Sequence, residues 1–253
     1  MLNMMRGLLI IVTVLLYSCS SKNQNEKKLK SSIDFSAVVI DTSTYDAGFS
    51  ELGEASENIQ YNSILSRNCT YQNLSKNFDI KALFNRYISI AETRDSFSVK
   101  LILIDKTSKV SFDSIELYSY YYYQTVFKDC KNVMSYITKF NIKKDIVDNN
   151  YGDIIVADFN FDNKEDIAVI NDSGGNAGPL YSFFIQSKDR KFIKDAYLTE
   201  SLEFFPSEIN KNKKTLTTYV HAGVCGLGEH IYTFDVNKNC WKEESHHIIN
   251  ICK

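Results

Sequence analysis

Asp158, Asn160, Asp162 and Asp166 occupy relative positions 1, 3, 5 and 9 of the stretch DFNFDNKED. Their shared chemistry is that of oxygen donors. Alternate positions of a tight loop can turn inward on one point, so short side chains can surround a hard cation without ordering long, flexible stems. Calcium suits such a set, since it takes about six to eight oxygens at roughly 2.3–2.6 Å. Asp158, Asn160 and Asp162 would give side-chain oxygens, the Lys164 backbone carbonyl a fourth donor, and Asp166 would close the site with water completing it. Carboxylates packed this closely repel one another without a cation. Ca2+ is therefore the expected cofactor, acting as a staple; an acidic turn that binds nothing is the plain alternative.

The elements that must position this loop read as strands. IIVADF precedes it and DIAVIN follows it, and then come LYSFFIQ, KFI, TLTTYVHA, HIYTFDV and WKEESHHIINI, spaced by turn residues. Upstream, SVKLILI and VSFDSIELYSYYYYQTVF carry the same signal, and VMSYITKFNI is expected as a further strand. The chain has 16 Tyr, 16 Phe and only two Pro, and its apolar residues are mainly β-branched or aromatic, which favours strands. The expected fold is mostly β, with antiparallel, propeller-like or sandwich-like sheets and few short helices. Regular crossover helices are not visible, which argues against a parallel α/β fold. The segment FDIKALFNRYISIAE satisfies both helical and hairpin spacing; the reading adopted is a short helix or turn near 78–84 with a strand after it. In Tyr120-Tyr121-Tyr122-Tyr123 a strand would send alternate rings to opposite faces, two to the core and two to water.

The chain opens MLNMMRGLLIIVTVLLYSCSSK, with Arg6 before an apolar run from Leu8 to Leu16. That run has the length of a signal-peptide core and is too short to span a bilayer. Residues 20–32 are polar and lysine-rich, a flexible tether. Residues 33–96 form an N-terminal β-rich segment that is hard to read, and 97–253 the β domain carrying the loop. Net charge is −2 and the basic residues are scattered, so nucleic acid is not an expected partner. Six cysteines are present, and an oxidising compartment would pair most of them. Cys225 with Cys240 is the preferred pair, because both flank HIYTFDV in a hairpin; Cys69 with Cys130 is second. The absence of any C-x-x-C removes support for a zinc ribbon or redox dithiol.

Two resemblances add to this reading. Leu16-Tyr17-Ser18-Cys19 resembles the lipobox of bacterial lipoproteins, which implies removal of residues 1–18 and lipidation of Cys19, and hence attachment to a membrane. Acyl chains hold because each buried methylene contributes about 0.8 kcal/mol. No acidic residue follows Cys19 before Glu26, which points to an outer-membrane protein facing the periplasm. The loop D-x-N-x-D-x-x-x-D, lying between strands, resembles the calcium loop of FG-GAP and VCBS-type repeats. An EF-hand is excluded, because position 12 would be Glu and is Val169. The repeats usually carry Gly at position six; here Asn163 stands there, a residue that tolerates the same left-handed turn. The longer run from Ile154 to Phe192 is similar to a family of bacterial periplasmic lipoproteins that includes immunity proteins against peptidoglycan-degrading toxins. That likeness implies a calcium-bound, propeller-like β protein that binds another protein.

The remaining motifs carry less. SGGNAGP, with Ser173, Gly174, Gly175, Asn176 and Gly178, lacks the G-K-[ST] of a phosphate loop; it reads as a hairpin connection or as a loop that engages a partner. His221 and His230 bracket Cys225, while adjacent His246 and His247 should point to opposite sheet faces. No catalytic motif emerges, and the chain is expected not to be an enzyme. The function expected is a lipid-anchored, calcium-binding envelope protein that binds another protein and inhibits a cell-wall hydrolase; the alternative is a glycan-binding or structural envelope lipoprotein.

Overall fold

The computed structural model describes residues 61–89, 95–146 and 148–252. The expected signal peptide, the tether, Cys19 and residues 33–60 lie outside the described residues. Within them the protein is mostly β, with antiparallel sheets, no closed barrel and only short helices. No helix of the described residues is long and apolar enough to cross a membrane.

Strands β1 (Tyr61–Tyr71), β2 (Phe78–Ser89), β3 (Ser96–Asp105) and β4 (Ser111–Ser119) form a four-stranded antiparallel meander. The segment FDIKALF is thus strand throughout, a correction to the helix or turn expected there. Its buried residues Phe78, Ile80, Ala82 and Phe84 follow a period of two and face Val99, Leu101 and Leu103 of β3 across the pairs Phe84↔Val99, Ala82↔Leu101 and Ile80↔Leu103. Half-buried Leu83 supplied the false helical spacing. The division expected near residue 96 falls between two neighbouring strands of this sheet.

Strand β4 ends at Ser119, so the tyrosine run lies in a connection to the short helix α1 (Gln124–Lys128) and not in a strand. Tyr123 is fully buried against Phe84 and Phe97 and donates its hydroxyl to the Ile170 carbonyl, while Tyr120 and Tyr122 are about half exposed, at 47% and 49%. The division between inner and outer rings holds, although a turn produces it.

The second sheet takes β5 (Val133–Ser135), β6 (Ile154–Ala157), β7 (Asp166–Asp172), β8 (Leu180–Gln186) and β9 (Phe192–Lys194) in chain order. Only Val133–Ser135 of VMSYITKFNI is strand, and β5 runs parallel to β6 whereas the other pairs are antiparallel. All four residues of β6 and the first five of β7 are buried, which explains why IIVA and DIAVI do not alternate: both faces of this sheet are covered. The third sheet is another antiparallel meander, β10 (Glu208–Asn210), β11 (Thr215–His221), β12 (Gly226–Asp235) and β13 (Cys240–Asn250).

Cross-links between sheets are polar as well as apolar. The Tyr120 amide and Ser119 hydroxyl donate to the Asn171 carbonyl at 2.9 and 2.8 Å, and the Asp113 carboxylate accepts from the Phe192 amide at 2.7 Å. Cys69 and Cys130 form a disulfide that joins β1 to the turn after α1. The pair Cys225–Cys240 does not form. Cys225 bonds Cys252 instead, with 5.0 Å between Cα atoms. The hairpin register explains this: Gly226 faces Asn250 at one end and Asp235 faces Cys240 at the other, so Cys225 and Cys240 sit at opposite ends of long strands.

Candidate functional site

The acidic loop joins β6 to β7, and its second and fourth residues anchor it. Phe159 is fully buried, edge-on to Phe183 at 5.1 Å and to Phe205 at 5.8 Å. Phe161 is buried beside Trp241 of the third sheet, at 6.1 Å between ring centroids. Burial of two aromatic rings pins the loop from the core side. Asn163, at position six, has φ +68°, the left-handed conformation expected of that position.

Asp166 is fully buried at the head of β7 and accepts hydrogen bonds from the Phe159 and Gln186 amides, each at 2.9 Å. Burial pushes its carboxyl up to about 8; the neighbouring Asp162 and Asp158 charges push the same way, against the two amide bonds. Asp158 is only 8% exposed. Its Oδ2 accepts from the Asn163 amide at 3.1 Å and faces Lys211 Nζ at 3.4 Å, whereas its Oδ1 is buried with no hydrogen-bond partner. A buried carboxylate oxygen left unpaired is costly, on the order of 1–3 kcal/mol or more.

The outer half of the loop is closed by its own contacts. Asn160 Oδ1 accepts from the Asp162 amide at 3.2 Å, and Asp162 accepts from the Lys164 amide at 2.9 Å and from Lys164 Nζ at 2.7 Å. Asp158 and Asp166 therefore turn inward, while Asp162 is held by a lysine and the three carboxylates do not meet at one point. The donor set still fits a hard cation: the orphaned Asp158 oxygen is the kind of donor such an ion takes, and Asn163 supplies the turn. Asp162 can join only by leaving Lys164 Nζ.

Glu165 was not legible as part of this site. It is 4% exposed and binds the Ser75 hydroxyl and the Lys76 amide, the latter at 2.9 Å, which ties the loop to the β1–β2 connection. Two residues 90 apart in sequence meet there, and no local signal announces it. Asp158, Asn163 and Glu165 line a cleft of about 330 Å³ together with Lys76, Tyr136 and Lys211.

The glycine-rich loop is folded tightly on itself. Gly174 and Gly175 adopt φ +62° and +63° and Gly178 φ +102°, and Asn149 Nδ2 donates to the Ala177 carbonyl at 3.0 Å. Ser173 and Gly175 are exposed, Gly178 is buried, and of Asn176 only the backbone turn is described. Ser173, Gly175 and Gly178 line a second cleft of about 590 Å³, which Tyr121, Thr125 and Asn132 share. Beneath it Asp153 accepts from Thr125 Oγ1 at 2.6 Å and Asn132 Nδ2 at 2.8 Å, and burial pushes its carboxyl up to about 6.

Gly174 and Gly175 separate two effects. A Cβ on Gly174 would lie 1.9 Å from the Gly178 carbonyl oxygen, while one on Gly175 would meet nothing within 4 Å. Gly175→Ala should cost only the left-handed backbone penalty, about 1–2 kcal/mol. Gly174→Ala should cost clearly more and disorder the loop, which denaturant midpoints and amide exchange at 173–179 would record; equal costs would refute the steric account.

Of the histidines, His230 lies directly opposite His246 in the β12–β13 register, while His247 faces Glu229 and His221 faces Leu227. Cys225 is in a disulfide and offers no thiolate. No protein-family model and no curated protein matches the chain. Among solved structures it is similar to a Xanthomonas Type IV Secretion System related protein, at 13% identity and a TM-score of 0.48, over 74% of this chain and 88% of that one.

Proposed function

We propose that this chain is a lipid-anchored, calcium-stapled β protein of the bacterial envelope, held at the outer membrane and facing the periplasm, that binds another protein and inhibits a cell-wall hydrolase. The observation that carries the calcium part is Asp158 Oδ1, a buried carboxylate oxygen without a partner inside a loop of the D-x-N-x-D-x-x-x-D pattern. Two disulfides support an oxidising compartment. The lipobox-like Leu16-Tyr17-Ser18-Cys19 supports the anchor, and likeness to immunity lipoproteins over 154–192 supports inhibition of a peptidoglycan-degrading enzyme. The protein acts by binding, without catalysis of its own. The 590 Å³ cleft, rimmed by Ser173 and Gly175, is the surface offered to the partner.

The glycan-binding alternative has less support. It calls for Tyr and Trp on one exposed strand face, yet Trp241 is 5% exposed beneath Phe234, and the face of the Tyr122 ring carries the Arg86 guanidinium at 4.6 Å. The immobilised protein, offered envelope extract with calcium and then with chelator, should retain one protein partner only with calcium. Cells that make it should resist an added lytic enzyme. Recovery of no partner, together with no protection, would overturn the proposal.

A further inference from the structure

We propose that the β12–β13 face that carries Tyr232 and Phe234 holds, where it opens to solvent, a second metal site of different chemistry, in which His230, His246 and Glu243 bind a borderline first-row divalent cation of the Zn2+ kind. Among the described residues, these three form the group of His, Cys, Asp or Glu side chains whose ligand atoms all lie within 4.8 Å of one another. Two imidazole nitrogens and one carboxylate oxygen match the ligand preferences of zinc and its neighbours, and differ from the all-oxygen set of the acidic loop.

Register and a bulge create the site. His230 and His246 are cross-strand partners, and their rings stack at 4.1 Å with 14° between planes. Beyond them the pairing slips: Ile231 faces Ser245, but Tyr232 faces Glu243, so one extra residue, Glu244, sits in β13. In a regular ladder Glu244 would oppose Tyr232 and Glu243 would point to the other face. The bulge reverses that parity and brings Glu243 beside the histidine pair. Glu243 Oε1 lies 2.8 Å from His230 Nδ1 as a result.

The surroundings hold one ligand and leave two adaptable. His230 lies parallel to the buried Tyr232 ring, at 6.3 Å and 10°, and a Cβ on Gly228 would come within 3.0 Å of His230 Nε2, so glycine at 228 leaves room for the imidazole. His246 and Glu243 are exposed and can close on an ion by rotation about their own side-chain bonds. Zinc–ligand distances of about 2.0–2.2 Å set tetrahedral donors roughly 3.4 Å from one another. Glu243 Oε1 must therefore part slightly from His230 Nδ1, which it approaches at 2.8 Å, an adjustment that an exposed side chain makes at little cost. Three protein ligands leave the fourth tetrahedral position open to water or to a side chain from another molecule.

The test uses untagged mature protein with calcium saturating the acidic loop. Titration with Zn2+ should give one equivalent bound, and Co2+ in its place should develop the visible absorption of a four-coordinate ion. His246→Ala should weaken Zn2+ binding on the order of 100-fold, and Glu243→Gln on the order of 10-fold or more. His247→Ala, on the opposite face, and Asp158→Ala should bind Zn2+ as the wild type does. Circular dichroism confirms that each variant is folded. Absence of Zn2+ binding, or binding that survives His246→Ala unchanged, would overturn the assignment.

Discussion

Replacing Asp158 by alanine should abolish the rise in melting temperature that calcium gives the wild-type chain. An ion that binds the folded state alone stabilises it by about 2.7 kcal/mol at a hundred times its dissociation constant. For a folded unit of this size that is a shift of roughly 5–10 °C. Asp158 is the sensitive position because its Oδ1 has no other partner to lose. In chelator the variant should melt close to the wild type, since the substitution removes a buried oxygen without a hydrogen-bond partner along with the Asn163 and Lys211 contacts of Oδ2. Asp162→Ala should act in the same direction, although it gives up the Lys164 contact as well. The pH dependence in chelator follows from Asp166. Its carboxyl is pushed up to about 8 in the folded protein from 3.8, so the folded state keeps a proton that the unfolded chain has lost. Stability should therefore fall as pH rises from about 4 to about 8, and calcium should flatten that slope. A wild-type melting curve indifferent to chelator would sink the calcium assignment.

The second large effect is expected from the disulfide between Cys69 and Cys130. It spans 61 residues, and the loop-closure entropy removed from the unfolded chain is worth about 4 kcal/mol. Cys69→Ala with Cys130→Ala should lower the denaturant midpoint accordingly. The bond between Cys225 and Cys252 closes a shorter span of 27, between strands already paired along β12 and β13. Its removal should cost less. If the second pair proves the more costly to remove, the loop-closure argument is wrong for this protein.

Much of the fold was legible because strands β3, β6 to β9 and β11 to β13 carry their signal locally, in apolar runs bounded by turn residues. The errors share one cause. FDIKALF, the tyrosine run and the partner of Cys225 each depend on which strand lies alongside, and a chain read in isolation contains no register. At the candidate site the ligand types and spacing were visible, and so was the demand on Asn163, because a left-handed turn is a local property of backbone and side chain. The seating of the loop on Phe159 and Phe161, and its tether through Glu165 to Ser75 and Lys76, were not visible, because their partners come from β8, β13 and the β1–β2 connection, all distant in sequence.

By itself, then, the amino-acid order determined a β-rich chain with an oxygen-rich nine-residue loop, since alternation, turn chemistry and donor spacing are written over a few residues. Tertiary structure alone decided which oxygens are buried, which cysteines meet and that His230, Glu243 and His246 share a face. Those outcomes depend on cross-strand register and a single bulge, and a shift of one residue in either sends a side chain to the opposite side of the sheet.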